Sequence, residues 1–362
     1  MLDLIHQQLR RDCLTAADAI PLLAGKLRGQ HVCVVGGLGF AGTWLAEMVA
    51  ALNDERDARS RLTLIGREPH KWLQQYPWLR RDDISLQAAD VRSSFEFPRD
   101  TTLVIYAAGT ADPRKQASEP HRVYQSILFG LDNALTAANR LESVQRFVNI
   151  SSGLVAGGVD STAAVTEAAI GVLDFKRLHN LYAEMRRAGE AMVSAYASQF
   201  RLPVSTVRAF TFLGPFQPQD APWAVNSFIQ DALAGHEIRV HGAGSSRRSY
   251  LYGSDVAAWL LQALVAGEDG EVYNFGGDEP VSHEQAARWV SERTTPTPRV
   301  LVRTGTGDDT RSRDFVPDLS QTRRRLGVRV TVAPQGAVAR TLQWQADCMG
   351  VARRLRDDGH PA

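Results

Sequence analysis

Residues 31–52 constrain this chain more than any other stretch. A short apolar run, HVCVV, leads into GGLGFAG and then into the amphipathic run TWLAEMVAAL. Gly36, Gly39 and Gly42 stand at G-x-x-G-x-x-G spacing, which on its own is a weak signal. Between a buried strand and the start of a helix it has a physical purpose. Glycine permits the tight turn and lets the backbone approach a pyrophosphate, which the helix N-terminus then faces. Phe40 and Ala41 lie in the same turn and join the three glycines as candidate dinucleotide contacts. The plainer reading, glycines that merely tighten a strand–helix turn, is disfavoured by that context.

Further strands are expected at 62–66, 84–90, 103–109, 146–153 and 203–210, with helical runs such as SILFGLDNALTAANRL and AEMRRAGEAMVSAYASQF between them. Strands alternating with helices predict an α/β fold, a doubly wound parallel Rossmann-type sheet covered on both faces. The dinucleotide-binding domain is expected over 29–213, with segments near 250–277 returning to it. Residues 1–28, with Leu and Ile at helical spacing around Pro21, read as an N-terminal helical extension of two short helices. Beyond Gly214-Pro215 the alternation dissolves. The stretches 214–249 and 278–350 are assigned to a smaller, interleaved C-terminal substrate lobe, and 351–362 to a polar tail. That layout places a cleft at the carboxyl ends of the strands.

Charge and composition exclude other classes. Lys and Arg number 41 against 40 Asp and Glu, so the basic footprint of a nucleic-acid protein is absent. The three cysteines, Cys13, Cys33 and Cys348, are scattered, which fits a reducing compartment. The start, MLDLIHQQLRRDCL, is too polar for a signal peptide, and no apolar run reaches bilayer length. A cytoplasmic protein with no membrane partner is expected. The nine histidines lack ligand spacing, so no metal is expected. Arg323-Arg324-Arg325 reads as a solvated helix face.

The end of the second strand, Gly66-Arg67-Glu68, bears on the choice of dinucleotide. Arginine's fork suits a 2′-phosphate, so NADP(H) is favoured, while Glu68 as the acidic ribose partner keeps NAD(H) possible. Asp90 and Val91, after the third strand, are candidates for the adenine edge. Ala107, Ala108 and Gly109 end the fourth strand with minimal side chains, which lets a cofactor lie against the backbone. Downstream, Ser151 and Ser152 end the fifth strand, and Tyr182 and Arg186 share one helical face. A phenol beside a cation is a plausible general acid/base, because positive charge favours the phenolate.

At these residues the chain resembles the extended short-chain dehydrogenase/reductases of the NAD-dependent epimerase/dehydratase family, nearly end to end. GGLGFAG is similar to the family's nucleotide-binding turn, NISSGLVAGG to its serine-bearing strand and YAEMRRAGE to its Tyr-x-x-x-Lys helix. RAFTFLGP, GAGSSRRSYLYGSDVA, EVYNFGG and RDFVPDLSQTRRRLG are similar to later signatures, in the same order. The resemblance implies a nucleotide-sugar substrate, Tyr182 as acid/base and Ser152 as the hydroxyl that orients the reacting oxygen. It also implies that Asn226, Arg248 and Arg311 contact the substrate's nucleotide or diphosphate, and that the protein forms a homodimer through a four-helix bundle including the Tyr182 helix.

Three departures narrow the expectation. Arg186 stands where the family has a lysine that bonds the nicotinamide ribose; with Tyr182 it is expected to contact the cofactor, gripping the ribose, and it can supply charge but not an amine proton relay. Ala156 replaces a tyrosine of the pocket wall, and Thr211 an asparagine. The residues after Ser152 are Gly153 and Leu154, where the family's 4,6-dehydratases carry an acidic pair for water elimination. The favoured reading is therefore an NAD(P)-dependent 4-ketoreduction of an NDP-4-keto-hexose. A 4-epimerase holding NAD tightly stays open, as does a dinucleotide-binding protein without catalysis.

Overall fold

The structure is a computed structural model, and it describes residues 2–157, 164–242, 244–302 and 314–355. Six strands follow the glycine-turn region and its alternation: β1 (His31–Val35), β2 (Arg61–Gly66), β3 (Ile84–Ala88), β4 (Leu103–Tyr106), β5 (Arg146–Ser152) and β6 (Val204–Ala209). Three short strands, β7 (Thr211–Leu213), β8 (Ile238–Val240) and β9 (Arg247–Tyr252), precede β10 (Val272–Phe275); β11 (Pro280–Ser282) and β12 (Val300–Val302) come after it. The main sheet has seven parallel strands in the order β10-β6-β5-β4-β1-β2-β3. The expected doubly wound sheet is present, and the 250–277 region returns to it as β10. Two small sheets, β11-β9-β7 and β12-β8, stand beside it.

Helices separate most of the consecutive strands, as parallel pairing requires of crossover connections, and both sheet faces are covered. The first half supplies α1 (Leu2–Asp18), α2 (Leu23–Leu27), α3 (Phe40–Arg56), α4 (Pro69–Gln75), α5 (Pro113–Ser118), α6 (Pro120–Tyr124) and α7 (Gly130–Asn139). The second half supplies α8 (Leu178–Phe200), α9 (Ala224–Ala234), α10 (Gly253–Ala266), α11 (His283–Glu292), α12 (Ser320–Leu326) and α13 (Pro334–Cys348). Alternate residues of β1 feed two cores. Val32 and Val34 pack with Trp44, Leu45 and Met48 of α3, whereas Cys33 and Val35 pack with Leu131 and Leu135 of α7 and Val193 of α8. A strand buried on both sides carries apolar residues toward both faces, which is why HVCVV shows no polar alternation.

Two local details differ from the sequence expectation. The first N-terminal helix is 17 residues long, and the chain reverses at Leu22, with φ 63°, beside Pro21 before α2 begins. The run expected as one helix from Ser126 opens with a π-helical turn, Gln125–Phe129, between α6 and α7. There the Tyr106 hydroxyl donates to the Ser126 carbonyl, which an ordinary helix would offer to its own next turn.

The extension is built into the core. α1 packs on α3 and α10, and its Asp12 is ion-paired with Arg340 of α13 at 2.9 Å and accepts from the Tyr252 hydroxyl at 3.1 Å. Beside it Glu47 of α3 lies buried and accepts from Trp78 Nε1 at 2.7 Å. Burial pushes the Glu47 carboxyl up to about 7 from an ordinary 4.5, against the opposing hydrogen bond from Trp78. The folded protein therefore holds this proton longer than the unfolded chain, and stability falls as pH rises from about 4.5 through 7. Glu47→Gln is expected to stabilise the protein at pH 8 by up to roughly 3 kcal/mol and to leave it unchanged near pH 4. Urea unfolding at both pH values reads this, and parallel pH profiles for variant and parent would refute it.

Candidate active site

The glycine turn leaves β1 at the point where the sheet order reverses, between β2 and β4, the place where open α/β sheets form a crevice. The amides of Gly36 and Gly37 both donate to the Ile65 carbonyl, at 2.9 and 3.1 Å, which backs the turn against β2. Gly36 has φ 77°, and a Cβ there would stand 2.7 Å from the Ala108 backbone, so turn and β4 exit touch. Gly39 differs. It caps α3 and is exposed, and a Cβ on it would meet only the Gly36 oxygen, at 3.8 Å. The first turn of this 17-residue helix, Phe40, Ala41 and Gly42 onward, carries no acidic residue and no side-chain cap. A positive helix end thus opens onto free space at Gly39, next to the contact of Gly36 with Ala108, and these residues fit a dinucleotide phosphate.

The flanking positions are arranged less openly. Arg67 is exposed at the end of β2, next to Glu68, which is ion-paired with Lys71. Asp90 is gripped by Arg92, whose Nε donates to both carboxylate oxygens at 2.9 and 3.1 Å. That guanidinium is the main reason the Asp90 carboxyl drops to about 2, and the charge of Arg67 adds to the effect. Val91 is buried, and its carbonyl accepts from Asn133 Nδ2 at 2.9 Å.

β4, β5 and α8 bring the acid–base candidates together. Tyr182 lies in the first turns of α8, buried among Val123, Ile127 and Met185. The Arg186 guanidinium sits 5.2 Å from the centroid of the Tyr182 ring and is only 5 % exposed. Its Nη1 donates to the Ile150 carbonyl at 2.8 Å and its Nη2 to the Ala108 carbonyl at 3.4 Å, so it ties the ends of β5 and β4 to the tyrosine helix. Both Nη groups are engaged by backbone, and Nε is buried without a partner. Gly109, with φ 112°, must be glycine here, since a Cβ would press Arg186 Nη2 at 2.7 Å.

Ser152, buried at the end of β5, accepts the Leu154 amide at 3.2 Å and so caps the short 3-10 turn Gly153–Ala156. Its neighbour Ser151 points elsewhere, donating to Glu190 Oε1 at 2.6 Å. Glu190 is ion-paired with Arg208 of β6 at 2.8 Å. This largely buried pair ties α8 to the sheet, and pairwise spacing in the sequence did not reveal it.

The substrate candidates are distributed unequally. Phe210 covers Gly153, whose Cβ would meet its ring at 2.7 Å, and Phe210 stacks on Phe315 with centroids 4.5 Å apart. The Arg248 guanidinium stands 5.9 Å over Phe315, so Arg248 reaches the serine turn through two stacked rings. Burial lowers the Arg248 guanidinium from its ordinary value, and burial together with that cation brings His283 down to about 4. Asn226 is fully enclosed in α9, with Nδ2 donating to the Pro218 carbonyl at 3.0 Å and Oδ1 unpartnered. Arg311 lies outside the described residues. Among the described residues no group of His, Cys, Asp and Glu is placed to hold a metal, and no helix is long and apolar enough to cross a membrane.

Comparison with known proteins places this geometry. The sequence profile described as "NAD dependent epimerase/dehydratase family" matches residues 32–276. A trifunctional UDP-glucose 4,6-dehydratase/UDP-4-keto-6-deoxy-D-glucose 3,5-epimerase/UDP-4-keto-L-rhamnose-reductase of Arabidopsis thaliana is 25% identical over 257 residues, covering 68% of this chain and 37% of that one. The chain thus spans well under half the length of that relative. The dTDP-D-glucose 4,6-dehydratase of Mus musculus is 26% identical and covers 72% of this chain and 71% of its own. Among solved structures, UDP-glucuronic acid 4-epimerase from Bacillus cereus, in complex with UDP-glucuronic acid and NAD, superimposes with a TM-score of 0.75 at 18% identity, over 88% of this chain and all of that one.

Proposed function

The chain belongs to the NAD dependent epimerase/dehydratase family, and we propose that it is an NAD(P)-dependent oxidoreductase acting on a nucleotide-activated sugar, with 4-ketoreduction of an NDP-4-keto-hexose as its reaction. One observation carries the reading: the buried Tyr182 phenol lies beside the buried Arg186 cation, and Arg186 binds the carbonyl ends of both β4 and β5. The nucleotide-sugar substrate is inferred from the nucleotide-sugar enzymes among the relatives.

Gly36, Gly39, Phe40, Ala41 and Gly42 would hold the pyrophosphate, Ala107, Ala108 and Gly109 the backbone-facing side, and Asp90 with Val91 the adenine. Exposed Arg67 supports NADP(H) over NAD(H) through a 2′-phosphate. The bound dinucleotide supplies hydride exchange with the sugar carbon. Tyr182 gives its phenolic proton to the ketone oxygen as it becomes a hydroxyl, and the Ser152 hydroxyl donates to the same oxygen. Arg186 stays charged throughout, offsets the developing phenolate, and offers only Nε to a ribose. Arg248 would meet the substrate diphosphate. Water elimination is disfavoured because Gly153 is closed off by Phe210, leaving no room for a carboxylate at that position. The NAD bound by the UDP-glucuronic acid 4-epimerase of Bacillus cereus supports the second reading, a 4-epimerase.

Denaturing the purified protein and identifying the released dinucleotide by mass is the test, followed by NADPH oxidation with a panel of 4-keto nucleotide sugars. NADP(H), or an empty site that binds NADPH, is expected together with turnover. Tightly held NAD⁺ with sugar interconversion and no need of reductant would replace the reductase by the epimerase. A homodimer through a four-helix bundle that includes α8 is supported by exposed Tyr124, Phe129 and Phe200, and sedimentation across a concentration range reads it.

A further inference from the structure

We propose that Arg187 is a positioning residue of this site, fixing the Ser152 turn against the helix that carries Tyr182; the proposal rests on the reading of Ser152 and Tyr182 as the reacting pair. Two consecutive arginines leave α8, and each spans two backbone carbonyls. Arg186 takes Ile150, two residues before Ser152, together with Ala108. Arg187 takes Val155, three residues after Ser152, through Nε at 2.7 Å, and the Gly171 carbonyl through Nη2 at 2.7 Å. Ser152 is therefore bracketed, with a carbonyl on either side of it held by one helix.

The second arginine also closes a loop onto that bracket. The Gly171 amide donates to the Ala156 carbonyl at 2.5 Å, so the segment entering α8 is bonded to the serine turn directly and again through Arg187. Gly157 completes the seat: with φ 57°, a Cβ there would stand 2.7 Å from Arg187 Nη2 and 2.8 Å from Leu173. The guanidinium fork is what allows two carbonyls, on two segments, to be held at once. A lysine ammonium is a point charge on a flexible stem and cannot reproduce that planar two-point contact. Arg187 touches no reacting atom in this arrangement. Its effect reaches the reaction through the distance between the Ser152 and Tyr182 hydroxyls, and misplacement of about 1 Å can cost on the order of 100-fold in rate.

Arg187→Lys and Arg187→Met are expected to lower kcat by roughly 10- to 100-fold with little change in KM, and with unchanged dinucleotide titration. In the cofactor-free protein, amide exchange should accelerate at 153–157 and 169–172 and stay unchanged in β1–β4. In a Ser152→Ala background, Arg187→Met should cost little more, because the group it positions is gone. A lowered melting temperature with full kcat would make Arg187 a structural clamp only and overturn the proposal, as would an equal loss in both backgrounds. The two readings separate cleanly. An active Tyr182→Phe would remove the reacting pair itself, whereas an inactive Tyr182→Phe beside a fully active Arg187→Met would remove the role of Arg187 alone.

Discussion

Tyr182→Phe is expected to lose turnover by about 10²- to 10⁴-fold while folding and binding dinucleotide as the parent does. The ring itself packs against Val123, Ile127 and Met185, and phenylalanine keeps all of that area. Its face also keeps the Arg186 guanidinium, whose two bonds to Ile150 and Ala108 do not involve the hydroxyl. Only the proton donor disappears, so stability and cofactor affinity serve as internal controls. Arg186 cannot take over the transfer, because a guanidinium remains protonated across the accessible pH range. If the phenylalanine variant reduces substrate at the parent rate, the proton comes from elsewhere and the assignment of Tyr182 is wrong. If turnover falls only together with dinucleotide affinity, the hydroxyl serves binding rather than proton transfer.

The parallel sheet was legible because strands buried on both faces are largely apolar, and HVCVV, LTLIG and LVIY are. Their ends were harder to place. The third strand, expected to reach 90, stops at Ala88, and the fourth, expected to reach 109, stops at Tyr106. Those overruns fall where the chain peels away from the ladder into the crevice, and Asp90 and Ala107–Gly109 belong to that irregular rim. Residue type marks such positions; hydropathy does not end there. Arg186 shows the limit of reading a side chain without its surroundings. Sequence suggested a grip on ribose, whereas the structure spends both Nη groups on backbone carbonyls. Carbonyl acceptors have no sequence signature, so Arg187 was invisible for the same reason. The Glu190–Arg208 pair joins a helix to a strand 18 residues on, a contact that only the packing of α8 on β6 creates. Asn226 is a different case, with Oδ1 buried and unpartnered. Its amide was read as a substrate contact, and the helix turns it inward to the Pro218 carbonyl.

Gly42→Ala and Gly39→Ala are expected to separate folding from binding within one turn. A methyl group at position 42 would overlap the Gly37 carbonyl and come 2.5 Å from Gly37 Cα, all backbone atoms. Neither side can yield. Gly37 is itself pressed on the Val34 carbonyl, where its own Cβ would lie at 2.7 Å. The helix cannot slide outward, because Trp44, Leu45 and Met48 are buried one turn on and Trp44 Nε1 donates to the Pro215 carbonyl at 3.0 Å. Overpacking against backbone costs typically 1–3 kcal/mol and sometimes more, so Gly42→Ala should lower the unfolding midpoint in cofactor-free protein and abolish dinucleotide binding. At position 39 the backbone φ is −104°, which any L-residue adopts, and the methyl would enter open space. Its stability should stay within about 0.5 kcal/mol of the parent. Its NADPH affinity should nonetheless fall at least tenfold, because the space the methyl fills is the space assigned to the pyrophosphate. Urea unfolding without cofactor and fluorescence titration with NADPH distinguish the two. A Gly39→Ala protein that binds NADPH normally would move the phosphate site away from the start of α3, and with it the reason for the glycine spacing.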